Sequence, residues 1–468
     1  MRSRFAALSL GVIALAGCGG GGSDTTAPVV ASSCSDSTKK QFVLDTARDR
    51  YLFLDTLPAT VDLNQYATAQ SLLDGITTTA RTQNKDRFFS YITTITAEQQ
   101  VLAAGVSVGF GVSLSQRQNG TRVFISQVFE SSAAADAGFV RGDEILGIGT
   151  SDATLETIAV ILARTNGLTD ALGASTAGIA RTFRVQTPAG TTVVRTVTKR
   201  EFSIDAVPSS LVRVIPRVAN TPVGYIFFRS FISPADDALR NAFVSFRNQG
   251  VRDVIIDLRY NGGGLVATAE ILMNLLGGGN ASQVMYRTRL NRNYTASQQT
   301  VRFASPALSQ SIMPAKIAFI TSENSASASE LAINVLAPYT QVAIVGGKTL
   351  GKPVGQTAHD IANCDFRLRL ITFGDENRDG YGDYFSGLPP GDNNYTDDFC
   401  AATEDLSKPL GDATEVLYSE ALGWINQNRC GIAAATGPQK IGPVVDDRPI
   451  TPMPREPTPF QIYMPGSF

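Results

Sequence analysis

The sequence predicts a multidomain α/β protein, with a helical N-terminal segment, a β-rich middle domain and an α/β core. Three observations carry that prediction. The 468 residues exceed one typical domain, and a 43% hydrophobic content with 24 phenylalanines can fill more than one core. Apolar residues fall at helical spacing early in the chain and alternate as strands do between Gly105 and Gly149. Two later stretches each run from a short apolar strand through a small-residue loop into an apolar helix. A net charge of −2 and the lack of a long basic run argue against nucleic-acid binding.

At the N-terminus, Arg2 and Arg4 precede an apolar run from Phe5 to Gly17. The run is shorter than the roughly 20 residues a helix needs to span a bilayer, and it fits a secretory signal peptide. Its ending, Leu15-Ala-Gly-Cys18, resembles a bacterial lipoprotein cleavage box, in which Cys18 becomes the lipidated first residue. Residues 1–18 are read as this signal, and residues 19–35, opening on Gly19 to Ser23, as a flexible leash. The alternative is a plain signal peptide with an incidental cysteine. No aspartate follows Cys18. In a Gram-negative host the resemblance therefore implies export to the periplasmic face of the outer membrane, with the lipid anchor as the membrane contact.

Residues 36–100 read as helical. Leu44, Ala47, Tyr51 and Leu54 share one helical face, and Leu72, Leu73 and Ile76 begin another. Residues 101–205 alternate as strands from Gly105 to Leu114, then give a short helix and a glycine turn. This segment resembles a PDZ domain. In that fold a glycine-rich loop, here Gly109, Phe110 and Gly111, offers backbone N–H groups to a peptide's terminal carboxylate while the peptide adds a strand to the sheet edge. An ordinary β-turn is the plainer reading of those glycines, and a gate over the active site is the alternative to capture. Residues 206–432 form the core, from the strand Val223–Phe228 to a helix at about Asp412–Asn428 carrying Trp424. Residues 433–468 are a proline-rich tail, read as an extended strap or as disordered.

The chemistry concentrates in the core. Thr321 to Glu330 reads TSENSASASE, between a strand at Ile317–Thr321 and a helix at Glu330–Ala337. A serine at a helix N-terminus has free backbone N–H groups and the positive end of the helix dipole beside it, which favour a developing oxyanion. The serine hydroxyl also needs a base. The one histidine, His359, has no flanking pattern that places it there. Lys352 lies in an apolar, glycine-rich run, and burial can hold a lysine neutral so that it accepts the proton. A serine-rich helix cap with a solvated lysine is the bland alternative. The second unit, strand Val254–Leu258, then Arg259 to Gly264 (RYNGGG) and helix Leu265–Leu276, places glycines where a backbone can approach a ligand closely.

Together these motifs resemble the C-terminal processing peptidases, or tail-specific proteases, over about residues 40–430. The resemblance implies a crotonase-like serine protease core of ββα type. Its nucleophile is the middle serine of the S-A-S-A-S-E run, Ser327. Its general base is the lysine of a G-K-x-x-x-Q run, Lys352, oriented by the glutamine four residues on, Gln356. Some members use an aspartate in the helix after the serine, and Pro338 stands at that place here. Asp257 to Gly264 matches the D-L-R-x-N-x-G-G signature, one of whose glycines gives the second oxyanion N–H. Gly264 is preferred to Gly263, with Ala328 as the first donor. The expected substrate is a polypeptide with a free, apolar C-terminus, the expected product chemistry is hydrolysis through an acyl-enzyme, and no cofactor is required. An adaptor lipoprotein is a candidate partner, and the helical N-terminal segment a candidate dimer contact or a packing element. A non-catalytic envelope scaffold is the alternative function, followed by hydrolysis of a small ester.

Without Cys18 four cysteines remain, and in an oxidising compartment they pair. Of the three connectivities, Cys364–Cys400 with Cys34–Cys430 is favoured, the first closing a loop and the second tying the ends together. No C-x-x-C pair supports a metal site. Asp375 to Asp383 (DENRDGYGD) carries oxygen ligands at Asp375, Asn377, Asp379 and Asp383 with Gly380 at the sixth position, as EF-hand calcium loops do, but Ser386 stands where the bidentate glutamate belongs. A hairpin turn between strands Phe366–Phe373 and Tyr384–Leu388 is preferred over calcium.

Overall fold

The runs DVIID (Asp253–Asp257) and KIAFIT (Lys316–Thr321) are rich in β-branched and aromatic residues and buried along nearly their whole length, the pattern of central parallel strands. They lie side by side in a six-stranded sheet ordered Val212–Arg217, Asn220–Phe227, Asp253–Asp257, Lys316–Thr321, Gln341–Gly346 and Asp398–Ala401. Every neighbouring pair is parallel except the first. Helices Ala235–Asn248, Val266–Leu276 and Ala328–Leu336 bury one face of the sheet, and Val416–Gln427, with Trp424 fully buried, covers the other. The chain is thus the predicted mixed α/β, multidomain fold. The structure, a computed structural model, describes residues 34–217, 220–389, 398–431, 450–454 and 456–468. Cys18 and nearly all of the leash lie outside the described residues, and no helix of those described is long and apolar enough to cross a membrane.

The N-terminal helices Asp36–Arg50, Ala69–Ile76, Thr78–Thr82 and Ile95–Leu102 do not close a core of their own. Val43, Leu44, Ala47, Leu72, Leu73 and Ile76 pack against Val354, Leu368, Leu370 and Ile371. Those partners belong to a second sheet, in which Arg367–Glu376 pairs with Tyr91–Thr93, Val284–Leu290 and Val354–Asp360. The middle domain is a sheet ordered Val112–Arg117, Arg122–Val128, Glu144–Gly149, Ala180–Gln186 and Thr192–Thr198 over its own apolar cluster. Strand Val112–Arg117 is an edge of that sheet.

Two expectations are corrected. The disulfides are Cys34–Cys364 and Cys400–Cys430, with Cα separations of 5.4 and 5.0 Å, in place of Cys364–Cys400 and Cys34–Cys430. The first helix packs on strand Arg367–Glu376, which brings Cys34 to Cys364 just ahead of that strand. Cys400 sits on an edge strand in the same apolar cluster as the helix that leads to Cys430. Four cysteines joined this way are the pattern of an extracytoplasmic protein. The anticipated hairpin has only its first strand. Arg367–Glu376 is longer than expected, and Tyr384–Leu388 forms no strand. Asn377 closes the turn, its side-chain oxygen accepting the N–H groups of Asp379 and Tyr381 at 3.0 Å each.

Candidate active site

The loops after strands Asp253–Asp257 and Lys316–Thr321 meet at the carboxyl ends of two adjacent parallel strands, where open α/β sheets place their ligands. The serines of the second loop lace it onto the first. Ser325 Oγ donates to the Leu258 carbonyl at 2.7 Å, Ser329 Oγ to the Asn261 carbonyl at 2.9 Å, and Ser322 Oγ to the Arg259 carbonyl. Ser327 Oγ, alone of the four, makes no hydrogen bond to the glycine loop and stays at the N-cap of its own helix. Ser327 is the N-cap of helix Ala328–Leu336 at φ +56°, ψ −113°, a left-handed conformation costly for a residue with a Cβ and characteristic of functional turns.

Ser327 and Lys352 line one cavity together with Val266, Leu331, Asp375 and Tyr384. Lys352 is only 7% exposed, and burial lowers its pKa to about 8. Its Nζ donates to Gln356 Oε1 at 2.7 Å, and Gln356 Nε2 donates to the Phe89 carbonyl, which fixes the amide with its oxygen toward the lysine. No hydrogen bond joins Ser327 Oγ to Lys352 Nζ among the described residues.

The glycine loop supplies a second backbone wall. A Cβ on Gly263, which has φ +106°, would lie 2.9 Å from Ser327 Cβ and 3.1 Å from Ala328 N, so only glycine permits this approach. The Gly263 N–H is taken by Asn261 Oδ1 at 2.9 Å. The Gly263 carbonyl accepts from Phe231 N–H at 3.0 Å, so the planar trans peptide directs the Gly264 N–H the opposite way. The N–H groups of Gly264 and Ala328 have no acceptor among the described residues.

Three residues have a place at this site that the sequence reading did not give them. Glu330, fully buried, accepts from Ser327 N–H and Lys352 N–H at 2.8 Å each, from Gly351 N–H at 2.6 Å and from Thr349 Oγ1 at 2.5 Å. Burial pushes its pKa up, and the four donors oppose that rise. Arg87 Nη2 donates to the carbonyls of Leu350 and Gly351 at 2.7 and 2.6 Å, bracing the lysine loop from the N-terminal segment. Asp375 is buried, with one carboxylate oxygen unpartnered, and desolvation raises its pKa to about 7. A glutamate three residues after a small-residue N-cap is a capping signature and could have flagged Glu330. Nothing local marks Arg87, and the local acidic run marked Asp375 only as a calcium ligand.

The calcium donor set does not converge. Asn377 Nδ2 points inward to Asn334, Asp383 pairs with Arg289 at 3.0 Å, and Asp379 is exposed. Among the described residues the metal-capable grouping is Cys400, Glu420 and Cys430, whose two cysteines form a disulfide. In the middle domain Gly109, Phe110 and Gly111 do meet a peptide, the chain's own residues near Phe468. The Gly111 N–H donates to the Phe468 main-chain oxygen at 2.9 Å.

The Peptidase family S41 profile matches residues 222–388, and that of the Peptidase S41 N-terminal domain matches residues 39–91. A "Probable CtpA-like serine protease" of Staphylococcus epidermidis is 28% identical over 142 residues, covering 30% of this chain and 27% of the relative. The "C-terminal processing peptidase, chloroplastic" of Tetradesmus obliquus is 27% identical over 149 residues, covering 32% of this chain and 30% of that one. The chain thus spans less than a third of the length of these relatives. In fold, it is similar to a crystal structure named "Putative S41 protease" from Bacteroides fragilis, with a TM-score of 0.65, 22% identity and coverage of 83% of this chain and 97% of that one.

Proposed function

We propose that the chain, whose residues 222–388 match the Peptidase family S41 profile, is a serine endopeptidase acting through Ser327, Lys352 and Gln356. The observation that carries this reading is the shared cavity, lined both by Ser327, the one serine of its loop not bonded to the glycine loop, and by a buried lysine with a pKa of about 8. Neutral Lys352 takes the Ser327 proton as Oγ attacks the scissile carbonyl. The tetrahedral oxyanion is held by the N–H groups of Ala328 and Gly264. Protonated Lys352 then gives its proton to the leaving amine. Neutral Lys352 then takes a proton from the water that attacks the acyl-enzyme and passes it to Ser327 Oγ as the acyl C–O bond breaks, so the chain's own groups supply every transfer and the scheme needs no cofactor. Substrate binding brings Oγ and Nζ into hydrogen-bond range, as such contacts tighten in the Michaelis complex.

The middle domain is read as PDZ-like and as the receptor for a substrate's chain end, because its Gly109–Gly111 loop and the sheet edge Val112–Arg117 suit a strand-adding peptide. The two disulfides and the Leu15–Cys18 box support export and lipid anchoring of the chain at Cys18. The test is to incubate the soluble chain, begun after Cys18, with casein beside Ser327→Ala and Lys352→Ala variants and follow the fragments by mass spectrometry. The proposal expects cleavage by the parent and none by either variant. Equal cleavage by a variant rejects the assigned residue.

A further inference from the structure

The edge of the middle domain is already hydrogen-bonded to an extended segment, and that segment is the chain's own. Phe468 N–H donates to the Val112 carbonyl at 2.8 Å, and the Phe468 main-chain oxygen accepts from Gly111 N–H at 2.9 Å and Val112 N–H at 3.3 Å. Leu114 N–H donates to the Gly466 carbonyl at 2.8 Å, and Ser113 pairs antiparallel with Ser467, their hydroxyls 2.8 Å apart. Ile450 continues along the same edge, exchanging two hydrogen bonds with Gln116. The Phe468 ring, 4% exposed, sits in the apolar cluster with Phe110, Val112, Leu114 and Leu172. A Cβ on Gly109 would lie 2.8 Å from the Phe468 carbonyl carbon, so a glycine is what lets the segment approach there.

The same segment touches the catalytic loops on its way. Gly262 N–H donates to the Tyr463 carbonyl at 3.0 Å, and a Cβ on Gly262 would meet the Ile462 carbonyl oxygen at 2.6 Å. Thr451 Oγ1 donates to Asn324 Oδ1 at 2.8 Å, within the loop that presents Ser327. Helix Pro459–Tyr463 fills the space between domain and core, with Phe460 against Phe129 and Phe202 at ring distances of 5.4 and 5.6 Å.

We propose that Met464–Phe468 is the resident ligand of this groove, and that the groove selects peptides in which a small hydroxyl residue precedes an aromatic. A substrate end must displace the chain's own segment before it is held. This deepens the capture reading of the middle domain and does not depend on catalysis. The pocket that takes the Phe468 ring sets the aromatic preference, and the paired Ser113 and Ser467 hydroxyls set the penultimate one. A segment tethered this closely competes at an effective concentration on the order of millimolar, enough to mask a free peptide of ~0.1 mM affinity about tenfold.

The experiment measures fluorescence anisotropy of labelled Tyr-Met-Pro-Gly-Ser-Phe, and of the same peptide ending in a carboxamide, on the full chain in a Ser327→Ala background. That background removes cleavage, so the result stands whether or not the chain is a protease. The expected result is binding about tenfold or more tighter to the Phe468→Ala variant than to the parent, and tighter for the free acid than for the amide. A second variant carrying Gly-Gly-Asp after Phe468 keeps every residue and is expected to behave like Phe468→Ala, which guards against misfolding of the first. Equal affinity for parent and both variants, or binding to none of them, overturns the proposal.

Discussion

The Glu330 carboxylate accepts the backbone N–H of Lys352 at 2.8 Å on the same oxygen that accepts the N–H of Ser327 at 2.8 Å. One buried side chain therefore sets the spacing of the nucleophile turn and the base turn. Its other oxygen holds Gly351 N–H and Thr349 Oγ1. A glutamine offers one acceptor oxygen, and its NH₂ would face N–H donors. Glu330→Gln is expected to lower kcat/KM by about 10²-fold, the effect of a displacement near 1 Å at the reacting groups. Slower fluorophosphonate labelling at Ser327 with a retained fold by circular dichroism would locate the loss in positioning; an unchanged rate would show that the two turns hold their spacing without the carboxylate.

Lys352 acts as a base only when neutral, and burial puts its pKa at about 8. Hydrolysis should therefore rise with pH and level off above about 8, falling roughly tenfold per unit on the acid side. Gln356→Glu places a carboxylate beside the ammonium that Gln356 Oε1 now accepts from at 2.7 Å. That change stabilises the charged lysine, and the limb should move up by about 1 to 3 pH units. A limb that stays in place would remove Gln356 from contact with the titrating group.

Asp375 has a folded pKa of about 7, raised by burial, against an unfolded value near 3.9. Between those values the folded chain binds the extra proton, so stability falls as pH rises from about 4 to about 7 and the full penalty is present above 7. Asp375→Asn should raise Tm at pH 8 by about 5 °C or more and have little effect near pH 4. Calorimetry at the two pH values checks this, and an equal change at both would mean that Asp375 is solvated or paired.

The pairing Cys34–Cys364 and Cys400–Cys430 predicts two cross-linked peptide pairs in a non-reducing digest. Removing the first by a Cys34→Ser, Cys364→Ser double substitution should cost about 2–4 kcal/mol of stability. Recovery of a Cys364–Cys400 peptide would contradict the placement of the first helix on strand Arg367–Glu376.

What was legible in the sequence was what is local in the chain. Ser327 follows its strand within a few residues, Lys352 and Gln356 stand four apart on one loop and strand, and the strands DVIID and KIAFIT announce themselves by composition. The groups that hold these residues in place come from far away. Gln356 is oriented by the Phe89 carbonyl and Gly351 by Arg87, each more than 260 positions distant. Such contacts have no spacing rule to betray them, and the disulfides went wrong for the same reason, since only the docking of the first helix tells Cys34 from Cys430. The tail was read as an extended strap or as disordered because its prolines hide a five-residue helix, Pro459–Tyr463, and because the partner of Ser467, strand Val112–Arg117, lies in another domain.

The central claim is that Ser327 is activated by Lys352. The most direct measurement is the site and rate of fluorophosphonate modification, mapped by mass spectrometry across Ser322, Ser325, Ser327 and Ser329 in the parent chain and in Lys352→Ala. The account predicts an adduct on Ser327 alone, forming more slowly as pH drops below about 8 and lost in Lys352→Ala. An adduct on another serine, or an unchanged rate in Lys352→Ala, would contradict it.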